Sequence, residues 1–209
     1  MQRFYLFAIL IVLAIGLSFA MDRLVLTDDV YYYSLIDSLS AERIDEILKS
    51  MKSLAWLGYV MVPFITALKI FLVAACIYTG AFFTNKNISF SAIFKSALHG
   101  EFIFLLPTMM RLLWFTFTQQ DYTLDDVSAF PPLSIVPFFD LNKEEDMWIL
   151  YPLSFINLFQ VTYVAVVAQT LTVESGIPFT STVGLVARSY GLGLLLWILF
   201  VTFLIISIS

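Results

Sequence analysis

The chain has 209 residues, of which 60% are hydrophobic and 13% charged, and its net charge is −5. A water-soluble domain carries roughly a quarter of its residues as charges, so this composition, with a mean hydropathy of +0.91, argues against a soluble enzyme, and the acidic balance without a basic patch argues against a nucleic-acid partner. One cysteine, Cys76, and one histidine, His99, exclude a disulfide framework or a Cys/His zinc centre within one chain.

The missing charge is concentrated in long blocks, the pattern of helices solvated by lipid. The expected fold is all-α: a polytopic integral membrane protein with five transmembrane helices, or four if the first is a cleaved signal peptide. Residues 1–21 form an N-terminal transmembrane helix or signal anchor. Its apolar run, Phe4 to about Ala20 after Arg3, is just long enough to span a bilayer. The small residues Ser18 and Ala20 also fit a signal-peptide cleavage site before Met21; retention is the reading adopted.

Residues 22–53 are expected to be extracytoplasmic. From Ser40, a plausible N-cap, Ile44, Ile47, Leu48, Met51 and Leu54 recur at helical spacing. Early acids and later lysines suit the helix dipole, and Asp45 and Lys49 are spaced as an i,i+4 pair. The spacing predicts an amphipathic helix lying on the outer surface and leading into segment two.

Residues 54–209 are expected to hold the other four helices. Segment two runs from about Leu54 to Phe83, with Pro63 and Lys69 inside it. Segment three runs from about Ala97 to Phe117, segment four from Met147 to about Val173, and segment five from about Val183 to Ile208. The connection from Thr84 to Ser96 holds Lys86 and Lys95 and no acid. The stretch 118–146 is an acidic loop with Asp121, Asp125, Asp126, Asp140, Glu144, Glu145 and Asp146 against Lys143. Short basic loops stay in the cytoplasm, so the N-terminus is expected inside and the C-terminus outside, in the cytoplasmic (inner) membrane. Within the acidic loop, three prolines between Phe130 and Phe139 forbid a regular helix, and the apolar side chains there are expected to dip into the interface or pack over helix ends.

Ionisable groups inside spans are expensive and are candidates for function. Here they are Lys69, His99, Glu101, Arg111 and Arg188. Counting residues from the span ends places Glu101 near the cytoplasmic end of segment three and Arg188 at similar depth on segment five, so a cross-helix pair is expected. Lys69 and Arg111 fall near mid-membrane with no acid at their depth. Carbonyls freed by Pro63 and Pro107, water, or an anionic headgroup would then have to hold them. The plain alternative is structural: a pair that fixes helix register, and cations that snorkel to the headgroups. A proton relay through Glu101 and His99 is a further reading. No catalytic residue, metal site or cofactor is expected. There is no Gly-rich phosphate loop and no HExxH motif, and every aspartate lies outside the spans.

The order and texture of segments two to five resemble the Yip family of polytopic membrane proteins, whose eukaryotic members interact with Ypt/Rab GTPases. The resemblance rests on Tyr78-Thr79-Gly80 at the end of a long span and on Asn87 to Lys95 leading into Leu105-Leu106-Pro107. It rests also on Leu153 to Gln160 opening segment four and on Val173-Glu174-Ser175-Gly176-Ile177-Pro178-Phe179 before the last span. It covers about residues 54 to 208 and implies a bacterial-like member. The eukaryotic members carry a long cytosolic N-terminal region where segment one stands here, and no functional residue is carried over. The expected function is that of a non-enzymatic organising or accessory subunit of a membrane complex, its partners the lipid bilayer and another membrane protein. The alternatives are a small transporter or permease component with a cationic site for an anionic lipid or solute, and a membrane-embedded enzyme acting on lipid.

Overall fold

The computed structural model describes residues 2–119, 121–139, 141 and 146–208. Asp140, Lys143, Glu144 and Glu145 of the acidic loop lie outside the described residues. Among the described residues the chain is predominantly helical, without strands. Its helices are α1 (Gln2–Leu24), α2 (Asp28–Leu35), α3 (Ala41–Phe83), α4 (Phe90–Glu101), α5 (Leu105–Phe117), α6 (Leu124–Ala129), α7 (Met147–Ser154), α8 (Leu158–Ser175) and α9 (Phe179–Ile208). Four stretches are long and apolar enough to cross a membrane: Arg3–Leu24, Ala41–Phe83, Phe90–Phe117 and Phe179–Ser207.

Several boundaries differ from expectation for identifiable reasons. The amphipathic stretch after Ser40 is not a separate helix. It continues without a break into segment two as the 43-residue α3, with Pro63 inside. Asp45 accepts the Tyr32 hydroxyl from α2, and Arg43 pairs with Glu46 at 2.7 Å, so the charges there are used differently from the Asp45–Lys49 pairing. The third span begins at Phe90, where the Ser89 hydroxyl accepts the Ala92 N–H at 3.2 Å, several residues before Ala97. A 3₁₀ turn at Phe102–Phe104 follows α4. Pro107 has no N–H to offer the carbonyl of Ile103, and the tighter turn sits where that helical bond is lost.

Segment four is two helices. Pro152 lies in the last turn of α7, and Asn157 restarts the chain by accepting the Gln160 N–H at 2.9 Å, an N-cap. The proline-rich loop closes over this break: the Ile135 N–H donates to the Ile156 carbonyl and the Leu158 N–H to the Leu133 carbonyl, both at 3.1 Å. That loop carries a 3₁₀ turn at Val136–Phe138 and leaves Phe138 exposed. The acidic loop also holds α6, started by a capping box between Thr123 and Asp126.

The chain divides into two compact units. One comprises Leu68–Phe104 and Pro131–Ser209 with Met1–Leu6; the other comprises Phe7–Ala67 and Leu105–Phe130. In the first, α8 packs on α4 and α9, around Ile93, Ala97, Tyr163, Val167, Leu171 and Val186. Gly176, at φ 71°, ends α8 in the left-handed conformation. The end of α3 approaches α9 through small residues. A Cβ on Gly80 would stand 1.7 Å from Ser189 Oγ, and one on Gly193 would stand 2.8 Å from Cys76 Sγ. Cys76 is thus a small packing residue. The four positions lie four apart on each helix, the small-xxx-small spacing that lets helices come close. In the second unit, Met21, Val25, Phe115 and Val127 form a buried cluster flanked by Leu112, Tyr122 and Phe130. The Tyr122 hydroxyl donates to the Val25 carbonyl at 3.0 Å, and burial raises its pKa above the ordinary tyrosine value. The Leu124 N–H donates to Ser34 Oγ at 2.9 Å, tying α6 to α2.

The glycines give a signed test. Gly→Ala inside a helix ordinarily stabilises by about 0.5–1 kcal/mol. Gly184→Ala, where a Cβ meets nothing within 4 Å, should leave thermal stability in detergent unchanged or raised. Gly80→Ala should lower it, by about 1–3 kcal/mol of overpacking. Equal effects at the two positions would refute the close seam between α3 and α9.

Candidate functional site

The polar centre of the first unit is built around Glu101, the last residue of α4. The buried stripe of α4 runs through Ile93, Ala97 and Gly100 to Glu101, and a carboxylate at the end of such a stripe is carried into the interior. Glu101 is 5% exposed. Lys69 of α3 donates to its Oε2 at 2.9 Å, and the same ammonium lies 3.7 Å from the centre of the Phe104 ring, a cation–π contact. The Lys69 side chain is 43% exposed, so the pair has a buried anionic end and a half-open cationic end.

Tyrosines of α8 and α9 complete the surroundings. Tyr163 is fully buried. Its ring centre lies 4.9 Å from that of Phe104 and 5.0 Å from that of Tyr190. The Tyr190 hydroxyl donates to Gln160 Oε1 at 2.7 Å. Gly100 lets Tyr163 in: a Cβ there would lie 2.6 Å from Tyr163 Cε2 and 2.5 Å from Val167 Cγ2. Glu101 Oε1 and the Tyr163 hydroxyl are both buried and are each other's polar neighbours, close enough to interact but not in a well-formed hydrogen bond. The phenol is thus a second polar neighbour of the carboxylate, beside Lys69.

Of the residues singled out from sequence, the structure unites Lys69 and Glu101. The expectation that no acid stands at the depth of Lys69 is overturned. So is the pairing of Glu101 with Arg188: the carboxylate is taken by Lys69, and Arg188 is exposed on α9. His99 does not join Glu101. Two residues apart on one helix, the side chains do not face each other, and His99 Nδ1 instead donates to the Lys95 carbonyl at 2.7 Å. Arg111 belongs to the second unit, where its Nη2 donates to the Phe130 carbonyl at 3.0 Å while its Nε is buried without a partner. Thr116 also leaves its hydroxyl buried and unpartnered. Sequence reasoning missed Gly100, Tyr163 and Tyr190. The signal available was a tyrosine and a glutamine three residues apart in an otherwise apolar run.

A second polar cluster joins two of the sequence stretches noted above. Lys95 pairs with Glu174 at 2.6 Å, and Lys86 donates to Ser181 Oγ at 2.7 Å. The start of α4 and the connection before it are thereby tied to the turn between α8 and α9. Both lysines thus have partners that a count of charges per loop does not reveal. Among the described residues, no group of three or more His, Cys, Asp or Glu side chains is arranged to hold a metal ion. Comparison with protein-family models, with curated proteins and with solved structures gives no match for this chain.

The geometry predicts an asymmetric response. Lys69→Met strands a buried carboxylate and should cost about 3 kcal/mol of thermal stability. Glu101→Gln should cost less, because the half-open ammonium can turn outward. The Lys69→Met/Glu101→Gln double variant should be more stable than the sum of the singles predicts. Strictly additive losses would show that the pair carries no coupling.

Proposed function

We propose that this chain is a non-enzymatic multi-pass membrane protein, an organising or accessory subunit whose helices assemble with those of another membrane protein. The observation that carries this reading is the state of the four long apolar helices. In the most apolar stretch of each, between 6% and 22% of the residues are buried within the chain. Surfaces rich in Leu, Phe and Ile, such as Leu192, Leu195, Leu196, Leu199 and Phe203 on α9, are left for lipid or for neighbouring helices. The resemblance to the Yip family supports the same reading.

In this reading α8 is the fifth crossing. Its 18 residues are within the length range of a span, and it need not be as apolar as the others because its Phe159, Tyr163, Val167 and Leu171 face protein. The N-terminus is then inside the cytoplasmic membrane and the C-terminus outside. A second reading, a small transporter component, is favoured by one specific observation: within the first unit, Glu101 Oε1 and the Tyr163 hydroxyl are buried side by side without a well-formed hydrogen bond, and polar atoms of this kind can engage a passing solute or ion.

Two measurements test these readings. With Cys76 replaced by Ser, Asn87→Cys and Asp125→Cys should react with an impermeant thiol reagent from opposite sides of the membrane, Asp125→Cys from outside; reaction of both from one side would overturn the five-crossing order. Gentle detergent extraction should recover the chain in a defined complex with another membrane protein. A monodisperse, partner-free chain stabilised by a small anionic solute would instead favour transport.

A further inference from the structure

Within the second unit, α1 and α3 leave a cleft of about 450 Å³ lined by Val12, Ile15, Gly16, Phe19 and Tyr59. The four α1 residues fall on one helical face, at intervals of three and four. A Cβ added to Gly16 would meet nothing within 4 Å, so this glycine is an open notch and not a packing contact. The lining of the cleft is apolar, and the nearest charged residues, Asp22 and Arg23, follow Phe19 in the chain. The Tyr59 hydroxyl donates to Asp22 Oδ2 at 2.6 Å, and the Arg23 guanidinium carbon lies 5.3 Å from the centre of the Phe19 ring. Arg23 is exposed, and among the described residues no carboxylate forms an ion pair with it.

We propose that this cleft binds one phospholipid with an anionic headgroup, an acyl chain lying along Val12, Ile15, Gly16 and Phe19 and the phosphate against Arg23. The proposal rests on the membrane reading above. The charge complementarity argues for this occupant. Inside a bilayer an apolar cleft gains little by exchanging one chain for another, since lipid tails are as apolar as its walls. Selectivity must come from the headgroup. The guanidinium at the last turn of α1, 5.3 Å from the Phe19 ring centre and in no ion pair among the described residues, supplies a positive charge that favours a headgroup of net negative charge over a zwitterionic one. Asp22, the nearest acid in sequence, is engaged by Tyr59.

The test uses the full chain reconstituted in vesicles of phosphatidylcholine with either phosphatidylglycerol or phosphatidylethanolamine. Resistance to alkaline carbonate extraction is read first; a chain that washes off refutes the membrane reading and the lipid site with it. For an inserted chain, spin-labelled phosphatidylglycerol should associate about fivefold more strongly than spin-labelled phosphatidylethanolamine, the ratio expected from one basic residue near a membrane surface. Arg23→Gln should remove that preference and Arg23→Lys should largely keep it. Gly16→Phe, which fills the notch, should reduce association of both lipids, with helicity and monodisperse elution as controls on folding. A preference unchanged in Arg23→Gln overturns the proposal. So does lipid association unchanged in a folded Gly16→Phe. Disulfide-linked dimers of Ile15→Cys in vesicles, formed in place of lipid association, would assign the cleft to a second copy of the chain and overturn it as well.

Discussion

A carboxylate that is 5% exposed in an apolar interior is the constraint around which the first unit is arranged. Removing such a group from water costs several kcal/mol unless a counter-charge and hydrogen bonds offset it. Lys69 supplies the counter-charge, and Phe104 presents the face of its ring to the same ammonium. To bring these together, the second half of α3, the end of α4 and the 3₁₀ turn after it must hold a fixed register. Tyr163 fills the remaining side, and it does so only because residue 100 has no side chain to obstruct it. The ion pair ties α3 to the end of α4, and buried polar groups of this kind can fix the register of packed helices.

Elsewhere the packing depends on close approach and on caps more than on large apolar side chains. The seam of Cys76, Gly80, Ser189 and Gly193 brings the α3 and α9 backbones together, which is how helices gain contact where lipid removes the hydrophobic drive between them. The second unit uses aromatic rings instead. Phe130 stacks with Trp114 and meets Phe115 edge-on, at centroid separations of 5.7 and 5.4 Å, and its carbonyl receives Arg111.

The long apolar elements were legible in the sequence because a run of lipid-compatible residues is a strong and local signal. The ion pair was not, and the reason is a matter of counting. With segment three starting near Ala97, Glu101 falls close to a membrane face and Lys69 far from it. The Ser89 cap starts the helix at Phe90, about 10 Å further back at ~1.5 Å per residue. Glu101 then lies eleven residues into α4, and Lys69 fourteen residues before the end of α3. Across a short turn those depths match. The break at Asn157 was hidden for a different reason: the apolar composition continues through it, and the Asn157 cap that restarts the helix is accompanied by hydrogen bonds with Leu133 and Ile135 of a distant loop. The tyrosine cluster depended on which faces of α8 and α9 meet, which composition does not encode.

The connection between α3 and α4 is only the six residues Thr84–Ser89, and it is braced by Lys86 on Ser181. So short a link has a consequence for biogenesis. A lone lysine or glutamate entering a bilayer in its own helix meets a substantial insertion barrier. Helices joined by a short link can leave the translocation machinery together, as a hairpin in which each charge already faces its opposite. On the membrane reading, Lys69 and Glu101 therefore favour entry of the two helices as one unit, and the order in which the chain is synthesised becomes part of how it reaches its fold.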